Sequence, residues 1–141
     1  MPATTMEKLK ITIEHPLKTS SSKIAWSMIG TCGGLQKWMA DEVTEEVTEE
    51  ANRLVFKWGE EWSGQDVRYA ELIKLTPLCC IAMQWEEDEG SDYYFEMTIE
   101  KNDLTRQVHL CITDWCTPDE EESLRSFWED SLERLHRASG M

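Results

Sequence analysis

Asp114 is the residue whose place in the chain most directly invites chemistry. It shares parity with Leu110 and Ile112 in an alternating run. Its carboxyl is therefore expected to point inward at a strand end. An inward carboxylate can orient a polar group on a ligand. It can equally accept backbone N–H groups near the start of a following helix. Acid–base catalysis would need a second titratable group beside it, and the sequence pattern supplies none.

The other reactive side chains are weaker candidates. His109 and Cys111 share the opposite face of that strand, and Cys116 follows. There is no Cys-x-x-Cys and no second pair at ligand spacing, so no metal is expected. Adjacent Cys79 and Cys80 should point to opposite sides of a strand. Cys32, next to Gly33 and Gly34, is expected to be the exposed thiol, with no base or cation beside it to activate it. Arg68 and Glu71 fall on a stretch with no clear inside and receive no role. The acidic runs at 86–89 and 119–122 lack the alternating ligands and glycine of a calcium loop, and they read as solvated faces. A Gly-rich phosphate cradle, an HExxH helix and a GxSxG elbow are all missing. No catalytic residue and no cofactor is therefore assigned.

The elements that must position these groups follow from periodicity. Residues 8–14 alternate, with Leu9, Ile11 and Ile13 on one face, and Pro16 is expected to close the strand. Ser20, Ser21 and Ser22 offer a cap for a short helix carrying Ile24, Trp26 and Met28, which Gly30 ends. Thr31 caps a second short helix through Leu35, Trp38 and Met39, against the helix-weakening Gly33-Gly34. Residues 42–51 read as an acidic edge strand and turn. Strands are expected at 53–58, 67–75, 78–85, 93–100 and 108–114, with turns at 59–64, 76–77, 86–90 and 101–104. Thr117-Pro118-Asp119-Glu120 has the form of a capping box with proline at the first helical position. Leu124, Phe127, Trp128, Leu132 and Leu135 then recur at helical spacing up to Gly140.

This order predicts an α+β fold. Consecutive strands on short turns are antiparallel neighbours, and each has one apolar face. Six strands at about 4.8 Å spacing span roughly 29 Å, whereas one helix is about 10 Å across. A sheet of about six or seven strands must therefore curl around the long C-terminal helix. The two short helices after the first strand close one end, and a gap between sheet and helix is the place for a ligand.

Composition sets the outer limits. The 141 residues are expected to form one domain, with residues 1–6 as a loose N-terminal tail. Hydrophobic residues make up 40% and include seven Trp, enough for a sizeable core. Against 28 Asp and Glu stand 14 Lys and Arg, a net charge of −14. Without clustered cations, nucleic acid and anionic membranes are not expected partners. Residues 1–15 hold no apolar core of a secretory leader, and no run approaches membrane-spanning length. Five cysteines, an odd number at irregular spacing, fit a reducing cytoplasm.

Several segments resemble the START-like superfamily of helix-grip proteins, and within it the Aha1-like group and related small bacterial proteins. Residues 24–28 through 34–38 (Ile-Ala-Trp-Ser-Met to Gly-Leu-Gln-Lys-Trp) are similar to the family's short helix pair. Residues 54–59 (Leu-Val-Phe-Lys-Trp-Gly), 70–72, 76–77 and 83–85 (Met-Gln-Trp) look like its central strands. Residues 95–100 and 108–114 resemble its final hairpin, and 128–135 (Trp-Glu-Asp-Ser-Leu-Glu-Arg-Leu) its terminal helix. The resemblance runs from about Leu9 to Leu135. It implies the curled sheet around a terminal helix. It leaves function open among ligand binders, cyclases, hydratases and chaperone regulators.

The inward set predicted to line the gap is Trp38, Met39, Phe56, Trp58, Met83 and Trp85, together with Phe95, Met97, Leu110, Ile112, Phe127 and Trp128. The same residues would serve equally well as a packed core. The leading expectation is a non-enzymatic domain that holds a small apolar or amphipathic ligand against them, with Asp114 orienting its polar end. An interaction module, as an Aha1-like partner or a homodimer, is the alternative suggested by the surplus of Trp. A cyclase- or hydratase-type enzyme is the third reading.

Overall fold

The computed structural model describes residues 8–49, 52–60 and 62–141. The expected tail over residues 1–6 lies outside them, as do residues 50 and 51 of the first predicted turn and residue 61 of the second.

Seven strands and three helices follow the order read from periodicity. They are β1 (Leu9–Leu17), α1 (Ser22–Ile29), α2 (Cys32–Trp38), β2 (Glu42–Val47), β3 (Asn52–Trp58), β4 (Asp66–Thr76), β5 (Cys80–Trp85), β6 (Phe95–Lys101), β7 (Val108–Cys116) and α3 (Glu121–Ser139). The strands form one sheet in the order β1-β7-β6-β5-β4-β3-β2, and every pairing is antiparallel. From β2 to β7 the chain meanders, each strand beside its predecessor. β1 instead crosses back to the free edge of β7.

Pro16 does not end β1. The strand continues to Leu17, with Pro16 opposite His109. β1 is an edge strand, so a residue that cannot donate to a ladder is tolerated there. β4 carries a register shift between Leu72 and Lys74, which leaves Ile73 as an extra, exposed residue. That bulge explains the mixed polarity of the segment. The β6–β7 connection is longer than the predicted 101–104 loop. The Asn102 side chain accepts from Leu104 and Thr105 N–H at 2.9 and 3.0 Å, and the chain rejoins the sheet at Val108.

The two short helices lock together through small groups. Ser21 accepts the Ile24 N–H at 3.2 Å to start α1. Thr31 accepts the Gly34 N–H at 2.9 Å to start α2, and its hydroxyl donates to the Ser27 carbonyl at 2.9 Å. Gly34 is required here, because a Cβ would stand 2.0 Å from the Ser27 carbonyl oxygen. Trp38 donates its indole N–H to the Met28 carbonyl at 2.8 Å, which fixes α2 against α1.

The predicted capping box before α3 is not made. A 3-10 turn at Pro118–Glu120 intervenes, and neither Thr117 nor Glu120 makes a side-chain cap. α3 itself, about 28 Å long from its helical rise, carries Glu121 and Glu122 in its first turn and His136 and Arg137 in its last, matching the helix dipole. Gly140 ends it in the left-handed conformation at φ 77°. Trp128, Leu132 and Leu135 dock into the hollow of the sheet and are buried with Phe56, Met83, Phe95, Met97, Leu110 and Ile112 in one core cluster.

Candidate functional site

All twelve predicted lining residues pack in or against the core cluster, and three of them also reach a pocket. Nine of them, Trp38, Met39, Phe56, Trp58, Met83, Phe95, Met97, Leu110 and Ile112, serve the core alone. The rings interlock: Trp38 and Trp128 stand 6.3 Å apart, Phe56 and Trp85 5.3 Å, and Trp85 and Phe95 4.9 Å. The centre of the grip is thus filled by side chains. The remaining three, Trp85, Phe127 and Trp128, reach a pocket of about 290 Å³ at one mouth of the grip. Arg68, Asp114, Glu120, Ser123 and Leu124 complete its wall.

Each element contributes for a local reason. Arg68 pairs with Phe56 across β3–β4 and Ala70 pairs with Trp85 across β4–β5, so Arg68 stands on the helix side of the sheet. Its guanidinium lies 3.8 Å above the Trp85 ring, a cation–π contact, and it is ion-paired with Glu87. Asp114 comes from the end of β7. Leu124, Phe127 and Trp128 come from the first half of α3, three and four residues apart on one face. Phe127 meets Trp128 edge to face at 5.2 Å and Trp58 at 6.1 Å. Trp58 is held in turn by its indole N–H on the Met39 carbonyl at 3.0 Å.

Asp114 points inward and is 6% exposed. One carboxyl oxygen accepts the Trp115 N–H at 2.7 Å, and the other accepts the Trp128 indole N–H at 2.9 Å. Burial pushes its pKa up to about 6, with these two hydrogen bonds and the Arg68 and Lys8 charges acting in the opposite direction. The carboxyl therefore straps β7 to α3 and also presents a polar face to the pocket. Of the two roles weighed from the sequence, the acceptance of a backbone N–H is made.

Arg68 was not legible as part of this site. The signal was nevertheless present: Arg68, Ala70 and Leu72 share parity, and Ala70 and Leu72 are apolar. The bulge at Ile73 broke the alternation just beyond them.

The remaining reactive groups lie elsewhere. His109 faces out from β7 and pairs with Glu14 at 2.9 Å. Cys32 is half-buried rather than exposed, and burial and Glu45 raise its pKa. The exposed thiol is Cys79, at the turn into β5, while Cys80 is buried. All five cysteines are free thiols. Among the described residues no group of three His, Cys, Asp or Glu could hold a metal ion. No described helix is long and apolar enough to cross a membrane. A broader depression of about 520 Å³ lies on the outer face of β3–β5, around Arg53, Tyr69, Glu71 and Gln84. It faces away from α3 and is lined mostly by polar side chains.

The model of the START-like superfamily domain matches residues 5–141. The chain belongs to the START-like superfamily. Among solved structures, this START-like domain is similar to BfR322 from Bacteroides fragilis, with 33% identity, a TM-score of 0.60, and 94% of this chain and 91% of that one covered. The Aha1 dimer from Colwellia psychrerythraea shares its fold at 16% identity and a TM-score of 0.70, covering 90% of this chain and 92% of that one. SA2116 from Staphylococcus aureus does so at 12% identity and a TM-score of 0.70, covering 95% and 94%. No curated protein matches the chain.

Proposed function

We propose that this START-like domain is a non-enzymatic binding module that takes a small apolar or amphipathic ligand at the mouth between the sheet and α3. The observation that carries this reading is the aromatic pocket itself. Trp85, Phe127, Trp128 and Leu124 form an apolar wall, with Arg68, Asp114, Glu120 and Ser123 as the polar groups. That is the make-up of small-molecule sites generally, and about 290 Å³ is near the lower end of their size range. A ligand of one or two rings fits it; a long lipid does not. The carboxyl of Asp114 is engaged by two fixed donors. This favours holding a ligand over turning one over.

The test is a library of small aromatic and amphipathic compounds read by native mass spectrometry, with Leu124→Trp as a plugged control. Binding to the unaltered protein and its loss in Leu124→Trp is the expected result. No binder at millimolar concentration would overturn the reading.

A second reading, homodimer formation, draws on the Aha1 dimer among the fold relatives. It also draws on Ile73, Leu75 and Leu78, which are 53%, 48% and 51% exposed along and just beyond β4. Light scattering across a concentration series distinguishes it: a constant monomer mass would exclude it.

A further inference from the structure

We propose that the pocket is selective for small aromatic amines: the ring lies among Trp85, Leu124, Phe127 and Trp128, and the ammonium group meets the Asp114 carboxylate. This rests on the reading of the pocket as a ligand site and adds the chemical class.

The charge arrangement carries the inference. Arg68 is the one cation on the pocket wall among the described residues. It is already matched, with Glu87 as its ion-pair partner and the face of Trp85 beneath it. The carboxylates of Asp114 and Glu120 remain on the wall without an ion-paired cation of their own. The wall therefore carries residual negative charge, on a chain whose net charge is −14. A carboxylate has about four acceptor directions. The Trp115 and Trp128 N–H groups occupy two of those on Asp114. What is left accepts donors. Aromatic faces add to this preference, because their quadrupoles attract cations and do not attract anions. An ammonium group satisfies all three features. A neutral hydroxyl satisfies only the acceptor positions, and a carboxylate none.

Phenethylamine, 2-phenylethanol and phenylacetate share one ring and differ in the head group, so calorimetric titration of all three separates the alternatives. Phenethylamine is expected to bind at least about tenfold tighter than the alcohol, and phenylacetate weakest. The Trp128 indole N–H resonance should shift with the amine, since that proton sits on the Asp114 oxygen. Asp114→Asn should lower amine affinity at least about tenfold and weaken the alcohol, which loses an acceptor but no charge pairing, by less. If that variant does not fold, the unaltered protein still decides the matter. Phenethylamine stays protonated from pH 5 to pH 7.5 while Asp114, with a pKa of about 6, ionises. Amine affinity should then rise about tenfold over that interval, and the alcohol, which gains acceptor strength but no charge pairing, should rise less.

Equal affinity for amine and alcohol would overturn the amine inference and leave the ligand reading standing. So would tightest binding of phenylacetate, which would make Arg68 the anchor. An amine titration that leaves the Trp128 resonance in place would also overturn it. If no compound in the wider library binds either, the ligand reading falls as well.

Discussion

Asp114 ties together stability and binding at the scale of one residue. Its carboxyl titrates near pH 6 in the fold against an ordinary value of 3.8. Between those values the folded chain keeps a proton that the unfolded chain has released. Stability therefore falls as pH rises through that window, and above it the buried charge costs about 3 kcal/mol relative to the protonated form. Asp114→Asn keeps the shape and one acceptor but cannot ionise. Urea unfolding at pH 4 and pH 7 should show the variant gaining on the unaltered protein by about that amount at the higher pH. A stability difference that does not change with pH would show that the carboxyl is not desolvated. The inward placement of this residue was legible because strict alternation in residues 108–114 fixes parity. Its partner Trp128 was not, because no pattern in one element reveals a hydrogen bond to another. Thr117 shows the opposite failure. Its hydroxyl oxygen is buried without a partner among the described residues, because proline and two acids after it fold as a 3-10 turn instead of a capped helix start.

At the scale of elements, the paired glycines of α2 have opposite meanings. Gly33 has nothing within 4 Å of where a Cβ would stand, whereas Gly34 lies against the Ser27 carbonyl and Met28 backbone. Gly33→Ala should stabilise the protein by about 0.5–1 kcal/mol through helix propensity. Gly34→Ala should destabilise it by at least about 2 kcal/mol, since the clash is with backbone that cannot step aside. Chemical denaturation of the two variants checks both signs. The sequence weighed the pair only as a helix-weakening step, because close approach of two helices leaves no local trace. Regular elements were easier. β6 and β7 bury alternate residues along their apolar faces, and α3 buries Trp128, Leu132 and Leu135 at the predicted spacing. β4 was hardest, since the bulge at Ile73 shifts parity halfway along it.

The whole molecule is a curled sheet closed by one helix, with its charge spread over the outside. Eight ion pairs of Lys or Arg with Asp or Glu are formed among the described residues, several with both partners well exposed, and such pairs are each worth little. Self-repulsion at net charge −14 therefore outweighs them. Raising NaCl from about 0.02 to 0.2 M should raise the melting temperature, because the longer-ranged repulsion is screened first. Calorimetry showing a fall instead would mean that the ion pairs dominate. The global shape was readable from strand count against helix width. How far side chains fill the hollow was not, since that depends on ring orientations such as Trp38 against Trp128 and Trp85 against Phe95.

The pairing of β1 with β7 joins the first strand of the sheet to the last. During synthesis, Leu9–Leu17 leaves the ribosome with no ladder to join, and its partner is among the last segments made. The meander from β2 to β6 can grow by neighbour-to-neighbour steps, but the closing seam waits for nearly the whole chain. Folding that ends on so distant a contact is slow to complete and leaves the outer rim of β7 uncovered until it does.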